Sequence, residues 1–504
     1  MKITLVLSPM WCREAPPLGL AALKAYLQEQ GHNVRCFDFN NEFCLRTSEK
    51  WKPYWGSEHG TAVWTKEDFA GTVISAHEAL LDEAVGQIAA REAKLVGFSV
   101  YATNALLSLE MARRLKKKAP DVFVVFGGPW VTQEREKVLK HPAVDAAVLG
   151  EGEGSLAELA RSMDQGRPLT EVPGLYLRAD GDTGVSFKAG TELASLDALP
   201  FPDFSDFPVG TYDRPRRLLA YFSRGCFKKC VFCDVPVHWK KWRCRSGRRV
   251  FEDLRHQLTR YPDIRAIEFC EATLNSDLRA LEDFCDLVIA DKKSDRSAFR
   301  RIFWFGFAHV RPEMDRPFLE KMARAGCHHL RLGIESGSQK VVDSMKKGYR
   351  LADAERLLAD MRSAGIKALL TFMVGFPTET EEDFQGTLDF LRRNARLIER
   401  VTPNESFTAI FPGTPLHRQA ESFGVELGAH SDHWRTKDGS NDFHVRLARH
   451  ERFCREAAAL GLALSPSSTK VARYRDDFLA DYEETASSHG WTGPREADEE
   501  DDRK

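Results

Sequence analysis

The segment Ser223–Asp234, SRGCFKKCVFCD, places three cysteines in twelve residues with the spacing C-x3-C-x2-C: Cys226, Cys230 and Cys233. Three thiolates in one short loop could hold three irons of a four-iron cluster. The fourth iron would then take a distant cysteine, giving an electron carrier, or a substrate, giving a catalyst. A structural zinc with Cys244 as fourth ligand is a second reading, although zinc sites favour paired C-x2–4-C knuckles and no second pair exists here. Unliganded thiols are the third. The chain has eleven cysteines. Its N-terminus, MKITLVLSPM, carries too short an apolar run for a signal peptide, so the thiols are expected to be reduced in a cytoplasmic protein and a disulfide framework explains the cluster poorly.

The loop needs a rigid support, and the hydrophobic pattern predicts one. Strands are expected at 3–7, 34–39, 94–104, 122–128 and 146–154, alternating with helices from Pro17 to Gly31, over 73–92, over 105–118 and over 131–140. Repeated βα units call for a parallel sheet, and ligands on such sheets bind beyond the carboxyl ends of the strands. Residues 166–215 are rich in Pro, Gly and Asp and read as a linker. Beyond it, strand-like runs recur at 218–223, 264–270, 301–310, 329–334, 367–376 and 406–411, with a helical pattern over 379–400 between the last two. Six βα units predict a partial barrel whose chemistry sits at the C-terminal strand ends. The cysteine loop follows the first of these strands, Glu271 the second, Glu335 the fourth, and Gly375 ends the fifth.

The fold class is therefore α/β. An N-terminal doubly wound, Rossmann-like domain (1–165) and the linker precede a partial (β/α)6 TIM-type barrel (216–418). A mainly helical C-terminal region (419–490) and a disordered acidic tail (491–504) follow. Of 504 residues 43% are hydrophobic and 29% charged, with a formal net charge of -2. That balance gives no global basic field for nucleic acid, and no apolar run approaches the roughly 18 residues of a membrane span. The basic and aromatic stretch HWKKWRCRSGRR (238–249) reads as a frame for the cysteine loop.

C-x3-C-x2-C with Phe232 just before the third cysteine resembles the radical SAM superfamily. RAIEFCEATLNSD, AGCHHLRLGIESGSQKVVDSMKKG, VGFPTETEEDF and IFPGTPL continue the resemblance over 216–418. In the N-terminal third, PPLGLAALKAYLQEQGHNVRCFDFN, VGFSVYATN, VVFGGPWVT and VDAAVLGEGEGSLAEL resemble the cobalamin-binding domain of one branch of that superfamily.

The resemblance implies a 4Fe-4S cluster held by Cys226, Cys230 and Cys233, whose open iron chelates S-adenosylmethionine and delivers the electron that yields a 5′-deoxyadenosyl radical. It further implies that Phe232 packs near the adenine and that Glu271 meets the methionine ammonium, a charge-assisted bond of the stronger kind. Glu335 and Ser336 would contact the ribose, and Gly375 and Pro377 would shape a close turn. Ser99, Gly127, Gly128, Glu151 and Gly152 match positions lining a cobalamin tail pocket. The plainer reading is a core aromatic for Phe232, a loop acid for Glu271, backbone bonding for Glu335 and Ser336, and ordinary turns for the glycines.

One departure stands out: residues 1–150 carry no D-x-H-x-x-G, and His32 and His59 lack that context, so a cobalamin without a protein histidine ligand is expected. The implied activity is methyl transfer to an unactivated carbon of a natural-product or peptide substrate through methylcobalamin, fed by a flavodoxin- or ferredoxin-like electron donor. Cyclisation, ring rearrangement or oxidation without methyl transfer keeps the same motifs, and a non-catalytic iron–sulfur or zinc module is a third class. His430, His433, Trp434 and His444 are candidates to touch substrate, with packing as their plainer role. Cys244 reads as a bystander, and the seven remaining cysteines as buried small hydrophobes. Anoxically purified protein is expected to be brown, with about four irons per chain; colourless, iron-free protein by elemental analysis would defeat the cluster reading.

Overall fold

The computed structural model describes residues 1–55, 62–178, 185–190, 192–403, 408–465, 475–489 and 491. Residues 1–220 with 243–268 form one compact unit, and residues 221–242 with 269–504 a second. His59 and residues 492–504 of the expected acidic tail lie outside the described residues.

The first unit is built on a seven-stranded sheet, β1 (Lys2–Leu7), β2 (Asn33–Asp38), β3 (Leu95–Ser99), β4 (Phe123–Gly127), β5 (Ala146–Val148), β6 (Leu175–Arg178) and β7 (Val185–Phe187), in the order β2-β1-β3-β4-β5-β6-β7. β1 to β5 are parallel, as the βα alternation requires, whereas β6 and β7 add antiparallel at one edge. Those two edge strands lie in the segment read as linker. Val6, Val96, Phe98, Val124 and Phe126 bury one face of the sheet in an apolar core.

Two helices differ from expectation. The strand expected to reach Phe39 stops at Asp38, whose carboxylate accepts the Asn41 N–H and caps a helix over Phe39–Arg46. The helix expected over 73–92 is two, Glu67–Ala76 and Glu78–Ala90, broken at His77. His77 turns inward, its Nε2 2.7 Å from Thr47 Oγ1 and its Nδ1 2.8 Å from the Val73 carbonyl.

The second sheet has the strands β8 (Arg217–Ala220), β9 (Ala266–Phe269), β10 (Phe303–Ala308), β11 (Cys327–Glu335), β12 (Lys367–Phe372), β13 (Ile398–Pro403) and β14 (Ala463–Leu464), in the order β14-β13-β12-β11-β10-β9-β8. The β10–β11, β11–β12, β12–β13 and β13–β14 pairings are parallel. The sixth barrel strand is thus 398–403, not 406–411: the preceding helix ends at Asn394, and residues 408–410 are not in a strand. Periodicity alone could not separate them, because Ile398 and Val401 continue the apolar spacing of the helix. β14 is an added edge strand.

Side chains on β11 alternate between two environments. Leu330, Leu332 and Ile334 are fully buried, whereas His329, Arg331, Gly333 and Glu335 share the other, partly open face. That alternation aims Glu335 onto the open face of the sheet.

The C-terminal region contributes helices Phe443–Ala459 and Arg475–Ser488 and a small hairpin, Val425–Leu427 with Trp434–Thr436. Trp434 is fully buried, its indole N–H donates to the Thr408 carbonyl at 2.8 Å, and the Arg446 guanidinium lies 3.8 Å over its ring. No helix among the described residues is long and apolar enough to cross a membrane.

In the first unit a buried lysine straps the 200–206 segment to the first helix. Lys24, 3% exposed, lies 2.9 Å from Asp206 and 3.1 Å from Asp203, and donates to Ser205 Oγ. Removing one partner of such a pair leaves the other charge buried. Lys24→Met is expected to lower stability by about 3 kcal/mol, read from the first transition in urea unfolding; a loss below about 0.5 kcal/mol would refute the strap.

Candidate functional site

The cysteine loop is held by its backbone before any metal is considered. Gly225 enters it with φ 80, and a Cβ there would stand 2.7 Å from the Lys241 carbonyl. Lys228 N–H donates to Cys226 Sγ at 3.4 Å, and Cys233 N–H to the Cys230 carbonyl at 3.2 Å. Between them Val231, 1% exposed, donates its N–H to Met345 O at 3.1 Å and accepts the Leu416 N–H at 2.8 Å. Val231 also joins an apolar cluster with Val341, Met345, Phe376, Ile410 and Leu416, against which Phe232 packs. The three thiols therefore leave a pinned turn.

Their electrostatics suit ligation. Burial pushes all three thiols up, Cys233 to about 12, because a thiolate is poorly solvated there; the nearby Lys347 charge opposes that at Cys226 and Cys230. Thiols this far from ionising are inert as free nucleophiles, and a bound metal would deprotonate them. Among the described residues no three His, Cys, Asp or Glu side chains converge on one ion position. A single zinc needs that convergence, whereas a cubane spreads three sulfurs over three irons. Cys244 is otherwise engaged, its thiol 3.3 Å from the Arg245 carbonyl. The donor set fits the cluster.

Glu271 is 7% exposed and accepts the Phe222 N–H at 3.0 Å, which fixes its carboxylate beside the start of the loop. Glu335 ends β11 with φ 68, a left-handed conformation rare for a non-glycine residue. Its carboxylate folds back over Gly333, where a Cβ would lie 2.4 Å from Oε1, and meets Lys347 Nζ at 3.2 Å. Glycine at 333 is what gives that carboxylate room. Ser336 parts company with Glu335: its hydroxyl is fully buried, 3.3 Å from Thr387 Oγ1, and accepts the Ser338 N–H. Its bonds are those of a turn. Gly375 (φ 78) and the buried Pro377 also form a turn, but the space a Cβ would need at 375 is filled by the methylenes of Arg446. Among the substrate candidates, His433 bonds Thr485 Oγ1 at 2.7 Å, Trp434 is core, His444 meets Tyr482 edge-on, and His430 is exposed.

Sequence reading missed three groups here. Lys347 is nearly fully buried beside Glu335. Asn275 brackets the His309 backbone, accepting its N–H and donating to its carbonyl at 2.9 and 2.8 Å. His309 in turn faces Phe227 of the cysteine loop with centroids 6.0 Å apart, and burial pushes its ring down to about 3, so it stays neutral. A lysine in MKKG reads as surface, and only the packing reveals otherwise.

In the first unit, Ser99 and Gly127 are paired across β3 and β4, and Gly128 follows at once, so three of the expected positions meet at the carboxyl ends of adjacent strands. Gly152 opens helix Gly152–Gln165 after β5. Glu151 does not join them as a ligand group: its carboxylate takes a bidentate pair from Arg243 at 2.8 and 2.9 Å and the Leu193 N–H at 2.9 Å. Trp11 and Tyr101, stacked 3.5 Å apart, sit just beyond β1 and β3 at the same edge and were missed. His32 precedes β2 at the opposite, amino end of the sheet, so it cannot serve this edge. A glycine-lined edge with close backbone approach fits the tail of cobalamin, with no histidine supplied by His32.

Gly128 and Gly127 make opposite predictions. At Gly128, φ is 112 and a Cβ would stand 2.5 Å from the Val100 carbonyl; at Gly127 the nearest atom is 3.9 Å away. Gly128→Ala is expected to cost more than about 3 kcal/mol, and Gly127→Ala less than about 1 kcal/mol, in the thermal unfolding of purified variants. Equal melting temperatures would contradict this geometry.

Comparison with known proteins gives the same picture. Residues 220–391 match the radical SAM superfamily model and residues 68–160 the B12-binding domain model. An uncharacterized methyltransferase of Pyrococcus horikoshii is 30% identical over 339 residues, 65% of this chain and 69% of that protein. An anaerobic magnesium-protoporphyrin IX monomethyl ester cyclase of Synechocystis is 22% identical over 386 residues, 74% and 67% of the two chains. The solved radical S-adenosylmethionine methyltransferase TsrM of Kitasatospora setae, with tryptophan and a SAM analogue bound, shares the fold at TM-score 0.66 and 16% identity over 96% of this chain and 99% of its own. With a B12-binding domain preceding its radical SAM domain, this chain belongs to the cobalamin-dependent radical SAM enzymes.

Proposed function

We propose that this enzyme is a methyltransferase acting on an unactivated carbon of a small natural-product or peptide substrate. The observation that carries the reading is the pair of modules on one chain, a radical SAM domain and a B12-binding domain, together with the 30% identical relative named as a methyltransferase. When bound, the cluster supplies the electron that opens S-adenosylmethionine, and cobalamin is the methyl carrier.

The chain's own residues then have positional tasks. Cys226, Cys230 and Cys233 hold the cluster through Sγ from a turn that Val231 pins. Phe232 offers a ring to the adenine, and Glu271, fixed by the Phe222 N–H, a carboxylate to the methionine ammonium. Glu335 accepts from the ribose hydroxyls, while Ser336 shapes the turn beneath it. Ser99, Gly127, Gly128 and Gly152 let the backbone of the first unit approach the cobalamin tail. Trp11 and Tyr101 add a flat wall there. Holding the reacting atoms in one geometry is the protein's contribution, and a radical that abstracts a hydrogen atom demands no side-chain base.

The cyclase relatives favour a second reading, radical rearrangement or ring closure without methyl transfer. Product mass separates the two. Reconstituted enzyme with S-adenosylmethionine, hydroxocobalamin and a low-potential reductant is expected to release 5′-deoxyadenosine and to add one methylene to its substrate. Product of unchanged carbon count would move the assignment to the cyclase-like class. Cys230→Ala is expected to lower deoxyadenosine release to the reagent background, measured by liquid chromatography; a variant that retains it would overturn the cluster assignment.

A further inference from the structure

The segment Met345–Tyr349, MKKGY, lies outside the roles described above, yet it is tightly bonded to its surroundings. Helix Gln339–Ser344 ends into it, with Lys346 N–H bonded to Asp343 O and Lys347 N–H to Val342 O. Lys346 (φ 55) and Gly348 (φ 69) are both left-handed, so the backbone of Lys347 is held between two reversed residues. The Met345 carbonyl accepts the Val231 N–H from the cysteine loop, and Tyr349 Oη donates to Ile334 O on β11 at 2.6 Å. The loop is thereby a buckle between the cysteine turn and the strand that ends in Glu335.

What the buckle presents is a charge. Lys347 is 5% exposed; its ammonium lies 3.2 Å from the Glu335 carboxylate and 5.8 Å from the centre of the Phe232 ring. A Cβ at Gly333 would stand 3.0 Å from Nζ, so the same glycine that admits the Glu335 carboxylate admits the ammonium. Burial works against this ammonium, and the Glu335 carboxylate 3.2 Å away favours its protonated form. The other basic groups near the thiols differ in kind: Lys228 is part-exposed on the loop itself, and His309 is neutral. A structural ion pair would be satisfied anywhere on the barrel. This one lies over the ring of Phe232, the residue between Val231 and Cys233 in the cysteine loop.

We propose that Lys347 is a positioning residue that sets the redox poise of the cluster loop, its buried ammonium favouring the reduced cluster while Glu335 opposes it. The inference rests on the assignment of the cluster to Cys226, Cys230 and Cys233. The step concerned is one-electron reduction by a low-potential donor: the donor loses an electron, the cluster gains one, and no bond at Lys347 forms or breaks. Adding negative charge beside a fixed cation in a low-dielectric site is favourable, so removing the cation makes reduction harder.

The test is a mediated redox titration of reconstituted full-length protein without S-adenosylmethionine, followed by electron paramagnetic resonance. Lys347→Met is expected to shift the midpoint negative, so that at the wild-type midpoint it is at most about one-tenth reduced, a shift of about 59 mV for one electron. Lys347→Arg should titrate near wild type. Glu335→Gln should shift the other way. Opposite signs at equal iron content support the proposal, because damage to the fold would not reverse sign with the charge removed. Unchanged midpoints, or shifts of one sign in both variants, overturn it. If Lys347→Met cannot retain iron, the Arg and Gln variants still decide: a shifted Lys347→Arg or an unshifted Glu335→Gln overturns it. Wild-type protein that binds no cluster would instead refute the family-based assignment.

Discussion

The peptide of Val231 is the point on which the candidate site depends. Three sulfurs can offer one geometry to a metal only if the turn that carries them is stiff beforehand, since each loose residue would lose conformational entropy on binding. Val231 removes that freedom at the centre of the loop. Its N–H and C=O are bonded to Met345 and Leu416, far apart in sequence, and its side chain is sealed in an apolar cluster. Neither hydrogen bond needs a particular side chain on its partner. The shape of the barrel rim therefore positions the loop together with its own Gly225 and Val231.

Polar groups at the strand ends follow the same logic. The side chains of Glu271, Asn275 and Glu379 each accept a backbone N–H, from Phe222, His309 and Gly375 respectively. In a partly buried rim an unpaired polar atom is costly, so these side chains fix loops and their own orientation together. Glu335 carries an additional conformational cost at φ 68, and its ion pair with Lys347 helps to offset it.

Much of this was legible in the sequence, for identifiable reasons. The cysteine spacing and the βα rhythm are local signals, and they led to the loop, the parallel sheets and the strand-end acids. Strand 398–403 was misplaced because its apolar residues continue a helical spacing, and β6 and β7 were hidden in a segment rich in Pro and Gly. Side-chain fate was harder to read. Glu151 and Ser336 sit at the expected positions, but Arg243 and Thr387, 92 and 51 residues away, occupy them. Cys36, Cys44, Cys285 and Cys327 are buried as expected, whereas Cys12 and Cys270 are exposed. Lys347 shows the limit most plainly, because burial of a charge is a property of the assembled barrel and leaves no mark on MKKG.

Arg446 has a consequence in time. Its methylenes fill the place of a side chain at Gly375, its guanidinium covers Trp434, and its helix precedes the edge strand Ala463–Leu464 that pairs with β13. During synthesis the ribosome delivers the cysteine turn more than two hundred residues before these closing pieces. Until they emerge, the turn at 375 lacks its filler and the edge of β13 lies open to other chains. Assembly of the barrel rim thus lags well behind emergence of the cysteine turn, and iron–sulfur loading that waits for a finished rim must lag with it.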